Sequence, residues 1–319
     1  MARAEAVEDG GSGSRRAAAA GGQVTLASVA MLCVLSLAWG SFWPVMKLAV
    51  SAVPVFSFRA LTGLVGGAIL LSIAVALRRP LRVPRGDWGK LLVFSIFGTS
   101  GWMLCSAFGV LLIGSGRAVL LAYTMPLFAF LFGIWLLKEK PTAARWAGLA
   151  VGLAGIGVMV GQDLHGLREQ PWGFLVMLLG ALSWAFGGTI YKYFHWRTDQ
   201  YALVGWQMLL GTLPIVVLAL LIDPLDPSAF NGSALFATLY TAIVGNALGV
   251  FLWFRLLRSL PVAVASLGVL MVPVVGLTGS ALIVHEAIGW AEVTALCLLV
   301  LGLTAVLPLP RLPWSRRAG

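Results

Sequence analysis

The chain has 319 residues, 60% of them hydrophobic and only 11% charged, with a formal net charge of +10. That balance leaves too little polar surface for a water-soluble protein of this length and places the chain in a bilayer. The basic excess would also suit nucleic acid, but its distribution follows membrane topology instead, so no nucleic-acid partner is expected.

Residues 1-22, containing GGSGSRRAAAAGG, carry no apolar run and read as a disordered cytoplasmic tail. Ten apolar runs follow, near 24-46, 55-77, 91-113, 118-137, 143-161, 172-194, 202-222, 234-254, 262-284 and 288-308. Each is long enough to cross about 30 Å of hydrocarbon as a helix. Arg15 and Arg16 precede the first run as in a signal sequence, but nine further runs make it a retained helix. Residues 311-319 form a second short tail. The predicted fold class is all-α integral membrane, with ten transmembrane helices.

With the N-terminus in the cytoplasm, the inner side holds Arg3, Arg15, Arg16, Arg78, Arg79, Arg82, Arg85, Lys90, Lys138, Lys140, Arg145, Lys192, Arg197, Arg255, Arg258, Arg311, Arg316 and Arg317, 18 of the 22 Lys and Arg. The exceptions are Lys47, Arg59, Arg117 and Arg168. This asymmetry predicts both termini cytoplasmic, in a multi-pass protein of the cell inner (plasma) membrane. Cys33, Cys105 and Cys297 all fall within runs, without metal-ligand spacing. They read as buried free thiols, and neither a metal nor another cofactor is expected.

The sequence repeats itself. PLFAFLFGIWLLKE, Pro126 to Glu139, returns 147 residues later as PVVGLTGSALIVHE, Pro273 to Glu286. LAWGSFWPVMK in run 1 matches LSWAFGGTIYK in run 6, pairing Trp39 with Trp184 and Lys47 with Lys192. FRALTG matches WQMLLG, pairing Gly63 with Gly211, while Gly98 pairs with Gly245 and Gly155 with Gly302. A near-constant offset across five helices marks a duplication rather than chance apolar similarity. Because five is odd, the second half is inverted relative to the first, and exchanging the shapes of the two halves turns a cavity from one side of the membrane to the other. The repeats are expected over 23-161 and 162-310.

From residue 26 to 308 the chain resembles the drug/metabolite transporter superfamily with paired EamA-type domains. The resemblance rests on LAWGSFWPVMKL, on the Pro-x12-Glu helix followed by RWAGLAVGLAGIGVMVG, and on LSWAFGGTIYK. It implies ten helices around a central cavity and alternating access. It also implies a substrate among amino acids and other metabolites, sugars or nucleotide-sugars, with export the direction it suggests.

Polar and aromatic phase points to the pathway. On run 1, Ser36, Trp39, Trp43 and Lys47 form one helical stripe. Thr99, Trp102 and Ser106 share a face of run 3; Asn246 and Trp253 do so on run 8. Run 6 contributes Trp184, Gly188 and Tyr191, run 7 contributes Trp206, Gln207, Gly211 and Pro214, and run 4 contributes Tyr123. Substrate contacts are therefore expected at Trp39, Trp43, Arg59, Trp102, Tyr123, Trp184, Tyr191, Trp206, Gln207, Asn246 and Trp253. The interfacial aromatic belt accounts for Trp88, Trp146, Trp172, Trp196, Trp290 and Trp314, whereas Trp39 and Trp184 lie near mid-span and favour the cavity over helix packing. Lys47 and Arg117 are expected to give an electropositive outer vestibule. Arg59 stands at the same level as the deepest contact for a carboxylate or other anion. Pro126 and Pro273 predict kinks in runs 4 and 9, with a hinge as their functional reading against static packing.

None of the twelve acidic residues lies deep in a run, so the sequence holds no carboxylate relay of the proton-pump kind. The leading function is a secondary carrier of a small metabolite, an amino acid or other amphipathic carboxylate, with the bilayer as its surroundings and a monomer or homodimer as the working unit. An intramembrane enzyme using Ser115 and His285 finds no supporting cluster, nucleotide loop or acid pair. A non-transporting scaffold or receptor is the other alternative, though no loop exceeds about ten residues.

Overall fold

The computed structural model describes residues 26–162, 169–224, 226–259 and 270–306, and among them all regular structure is helical. The tails at 1-22 and 311-319, together with Arg168 and Trp314, lie outside the described residues. The first half comprises α1 (Leu26–Val50), α2 (Val55–Ala76), α3 (Trp88–Ser95), α4 (Trp102–Ile113), α5 (Ser115–Ala122), α6 (Met125–Leu136) and α7 (Ala143–Gln162). The second comprises α8 (Pro171–Tyr193), α9 (Gln200–Ile222), α10 (Gly232–Tyr240), α11 (Gly249–Ser259), α12 (Met271–Ile283) and α13 (Trp290–Val306).

Among the described residues seven helical rods are long and apolar enough to cross a membrane: Leu26–Val50, Val55–Ala76, Arg85–Ile113, Ser115–Leu136, Pro171–Tyr193, Gln200–Ile222 and Gly232–Trp253. Three shorter apolar helices cover Ala143–Val158, Met271–Ile283 and Trp290–Thr304. Outward side chains are as apolar as the core: Leu37, Trp135, Phe236 and Leu282 are 59%, 68%, 67% and 71% exposed. Such a surface fits lipid and not water. Cys33 and Cys297 also lie on it, correcting the expectation that they are buried; Cys105 is half-buried.

Helix boundaries follow local chemistry. Asp199 caps α9 by accepting from the Tyr201 amide at 2.9 Å, and Asn231 caps α10 by accepting from the Ala234 amide at 3.1 Å. Pro171 opens α8, where its missing N–H costs nothing. Gly114, at φ 83°, makes the sharp turn between α4 and α5 that a side chain would resist.

Two interruptions recur at the repeat offset. A π-helical stretch, Ile96–Gly101, joins α3 to α4, and another, Thr241–Leu248, joins α10 to α11. The end of α6 and the end of α12 also share one turn. Lys138 and His285, 147 positions apart, both take left-handed backbones, at φ 58° and 54°. The following amides, of Glu139 and Glu286, each donate to a carbonyl six residues back, at Gly133 and Ser280, both at 3.1 Å.

The expected bend near Pro126 falls at a two-residue interruption of the rod Ser115–Leu136. The chain leaves α5 at Tyr123–Thr124 and restarts as α6 with Pro126 in its first turn. Pro273 is the third residue of α12, and the first part of the predicted ninth run, 262–269, lies outside the described residues.

α5 sits at the centre of the largest buried cluster, with Ala118, Val119, Leu120, Leu121 and Ala122 all fully buried. Around it, small residues let backbones meet. A methyl on Gly302 of α13 would lie 2.6 Å from the Gly148 carbonyl oxygen of α7, and one on Gly187 of α8 would lie 2.8 Å from the Gly98 Cα.

Candidate functional site

The two π-helical stretches form the seam between the halves. A π turn widens the helix and exposes carbonyls that an α-helix would occupy. In the first half, the Phe97 carbonyl accepts from Ser183 Oγ of α8 at 2.7 Å, and Ser100 Oγ donates to the Gly211 carbonyl of α9 at 2.6 Å. In the second, the Gly245 carbonyl accepts from the Trp39 indole of α1 at 3.1 Å, and Asn246 Nδ2 donates to the Thr62 carbonyl of α2 at 3.2 Å. Each stretch thus bonds to the first two helices of the opposite half.

That seam reassigns Trp39 and Asn246. The N–H of Trp39, placed at the cavity for lying near mid-span, is satisfied by backbone, and its ring lies 5.8 Å from Trp253. Both residues join helices. A different set lines up across three helices. Trp43 of α1, 3% exposed, meets Trp102 of α4 edge-on at 6.0 Å and 82°. Trp102 lies 5.4 Å from Trp184 of α8. Trp102 and Trp184 are only partly buried, so this indole row presents ring surface beyond its own contacts.

Arg59 stands beside the row. It is 1% exposed, and its Nη2 donates to Ser106 Oγ at 2.6 Å and to Met46 Sδ at 2.9 Å. The guanidinium lies 5.2 Å from the Phe58 ring centroid and 5.9 Å from that of Phe42. Its repeat mate is Gln207, by the offset that pairs Gly63 with Gly211; Gln207 is 7% exposed and packs against Gly98.

The remaining candidates disperse. Tyr123 is buried in the core at the α5–α6 break. Tyr191 stacks on Trp196 at 6.2 Å and lies 5.5 Å from Phe94. The Trp206 indole donates to the Leu81 carbonyl at 2.9 Å, in the α2–α3 connection.

At the Glu286 end of the bundle, a cleft of about 350 Å³ is lined by Lys47, Arg117, Glu286, Glu292 and apolar neighbours. Lys47 and Arg117 do meet there, but the electropositive vestibule is not what they make. Lys47 Nζ donates to the Val110 and Leu111 carbonyls at 3.2 and 3.0 Å, capping α4. Arg117 pairs with Glu292 at 3.4 Å. Two cations face two carboxylates, and Arg59 does not line this cleft.

Sequence reasoning missed what Glu286 does. Its carboxylate accepts from the Ser115 and Gly116 amides at 2.7 Å each and from Ser115 Oγ at 3.0 Å, capping α5 from the opposite repeat. Ser115 Oγ also meets Ser280 Oγ at 2.8 Å. Glu139, on the matching turn, pairs with Arg145 of its own repeat at 3.6 Å. At the other end, Asp87 accepts from the Arg197 amide at 2.8 Å and from the Thr198 amide and hydroxyl at 3.0 and 2.9 Å. No group of three or more His, Cys, Asp or Glu able to hold a metal occurs among the described residues.

Comparison with known proteins places these features in a wider set. The model of the EamA-like transporter family matches residues 26–161 and again 171–307. The uncharacterised transporter YoaV of Bacillus subtilis is 25% identical over 261 residues, covering 81% of this chain and 89% of its own. Probable amino-acid metabolite efflux pumps of Salmonella typhimurium and Escherichia coli are 29% and 26% identical, over 65% and 83% of this chain and 71% and 89% of theirs. A solved crystal structure superposes with a TM-score of 0.65 at 25% identity, covering 88% of this chain and 96% of its own.

Proposed function

The chain belongs to the EamA-like transporter family, and from that premise we propose that it is a secondary carrier exporting a small amphipathic metabolite, an amino acid or another carboxylate, by alternating access. Ten spans, both termini in the cytoplasm and residence in the inner membrane are part of the same reading, with a single chain enclosing the pathway. The seam of mirrored π-helical stretches carries it. Each half grips the first two helices of the other through side-chain donors on backbone carbonyls, serine hydroxyls at one stretch and the Trp39 indole and Asn246 amide at the other, within a residue of the repeat-related positions. A frame built this way has two equivalent arrangements, one open to each side.

The unequal glutamates support a state closed at the outer end. There Glu286 bridges the repeats onto α5, while Glu139 stays within its own half. The row Trp43, Trp102 and Trp184 supplies the pathway's aromatic surface, and Pro126 and Pro273 mark the hinges. The names of the two efflux pumps favour amino-acid metabolites and outward movement.

Counterflow in proteoliposomes tests the proposal. Purified protein preloaded with unlabelled amino acids, carboxylates, sugars or nucleotides should accumulate the matching labelled compound unmodified. Absence of counterflow with every member, in protein shown to be folded, would favour a scaffold; chemical conversion of the compound would favour an enzyme.

A further inference from the structure

Of all buried side-chain nitrogen and oxygen atoms among the described residues, Arg59 Nε alone has no hydrogen-bond partner. The residue is 1% exposed, and it has no part in the ion pairs of Lys90, Arg117 and Arg145. A cation in the hydrophobic part of a membrane protein ordinarily finds a carboxylate or lines a water-filled path. Arg59 instead has one hydroxyl, one thioether and two ring faces. These orient the guanidinium without neutralising it, and they leave its Nε, itself closed off from solvent, without a partner. Among the described residues no carboxylate faces Arg59 to balance its charge.

The neighbours say which anion. Ser106, which holds Arg59 Nη2, lies one turn along α4 from Trp102, and Met46 lies three residues from Trp43 on α1. The charged point and the indole row are therefore roughly 6 Å apart along the helices. Building on the carrier reading, we propose that Arg59 anchors a carboxylate of the transported molecule while the Trp43–Trp102–Trp184 row receives an adjoining apolar or aromatic body. A single guanidinium with one unpaired N–H and one hydroxyl beside it suits a monoanion. A dianionic phosphate would require further donors, and Lys47, the next cation on α1, is committed to the end of α4.

The test compares carboxylates with their uncharged counterparts on folded protein. Proteoliposomes are assayed with labelled phenylalanine, phenylacetate and benzoate, and with phenylalaninamide, phenylacetamide and benzamide, for wild type, Arg59→Met and Arg59→Lys. Size-exclusion profile and thermal unfolding in detergent confirm that each variant folds. Wild type should prefer the carboxylates, Arg59→Met should lose about 30-fold or more of that preference, and Arg59→Lys should recover part of it. Equal transport of acids and amides by wild type, or an unchanged preference in folded Arg59→Met, overturns the anchor. If wild type transports nothing, the carrier reading fails, and the anchor is judged separately by quenching of intrinsic tryptophan fluorescence. Carboxylate-dependent quenching abolished in Arg59→Met sustains it; quenching indifferent to charge or to the substitution overturns it. Should Arg59→Met not fold, Arg59→Lys and Ser106→Ala carry the same comparison, and an unchanged preference in both overturns the proposal.

Discussion

Glu286 binds Ser115 across 171 residues of sequence, with its carboxylate taking both the amide and the hydroxyl. The bond joins the second repeat to the first at the end of the bundle where Lys47 and Arg117 also lie. Loss of a hydrogen bond to a buried charged group costs about 1.5–3 kcal/mol. In a background without Cys33, Cys105 and Cys297, Glu286→Gln should raise the labelling rate of a cysteine placed at Leu277 by an impermeant maleimide roughly tenfold. Glu139→Gln, at a residue that pairs with Arg145 of its own repeat, should leave that rate unchanged. Equal rates in Glu286→Gln and its parent would remove Glu286 from the closure.

The contact between α8 and the first π-helical stretch depends on backbone proximity. A methyl at Gly187 meets backbone at 2.8 Å, which cannot yield as a side chain can, whereas one at the adjacent Gly188 meets nothing within 4 Å. Gly187→Ala should therefore lower stability in detergent by about 1–3 kcal/mol, and Gly188→Ala should be near neutral. Thermal unfolding of the purified variants decides between them; similar melting temperatures would contradict the packing described.

Trp39 tests whether the seam needs its side-chain donors. Trp39→Phe keeps most ring contact with Trp253 but leaves the Gly245 carbonyl unpaired in the π-helical stretch. A loss of about 1–3 kcal/mol should follow, read as reduced thermal stability. Trp184→Ala instead removes one end of the indole row, and should raise KM for an aromatic substrate roughly tenfold. A KM indifferent to Trp184 would take the row out of the pathway.

Asp87 clamps the opposite end of the bundle. Its Oδ2 takes three bonds from Arg197 and Thr198, and Lys90 pairs with Oδ1 at 3.3 Å. Asp87→Ala should cost about 2–3 kcal/mol, and Thr198→Val, which keeps the backbone bonds, about 1 kcal/mol. Urea or thermal melts of the two variants side by side check the order.

The duplication was legible because it is written at one offset: the turns at Lys138 and His285, and the glycines at Gly98 and Gly245, recur where the sequence placed them. The π-helical stretches were not, since no residue type encodes them and a 3.6-residue period assumes they are absent. That assumption is why Trp39 and Asn246 read as cavity residues. The backbone carbonyls that these two side chains bond to lie in or against a stretch where the helix widens. The partners of Glu286 were hidden for another reason. A carboxylate capping a helix 170 residues away leaves no local pattern. Arg59 was the opposite case: its depth in the second run already marked it, and folding changed only its surroundings, from a vestibule to a closed packing of α1, α2 and α4.

The unneutralised guanidinium also bears on energy transduction. A carrier whose only mobile charge is Arg59 is positive when empty and electrically neutral there once a carboxylate has docked, so the membrane voltage acts on the empty form alone. Moving one elementary charge through the whole field is worth about 2.3 kcal/mol per 100 mV. Whatever fraction of that field Arg59 crosses, a potential negative inside would hold the vacant carrier of this proposal facing the cytoplasm, the side from which an exporter loads, and would leave exchange of one carboxylate for another untouched.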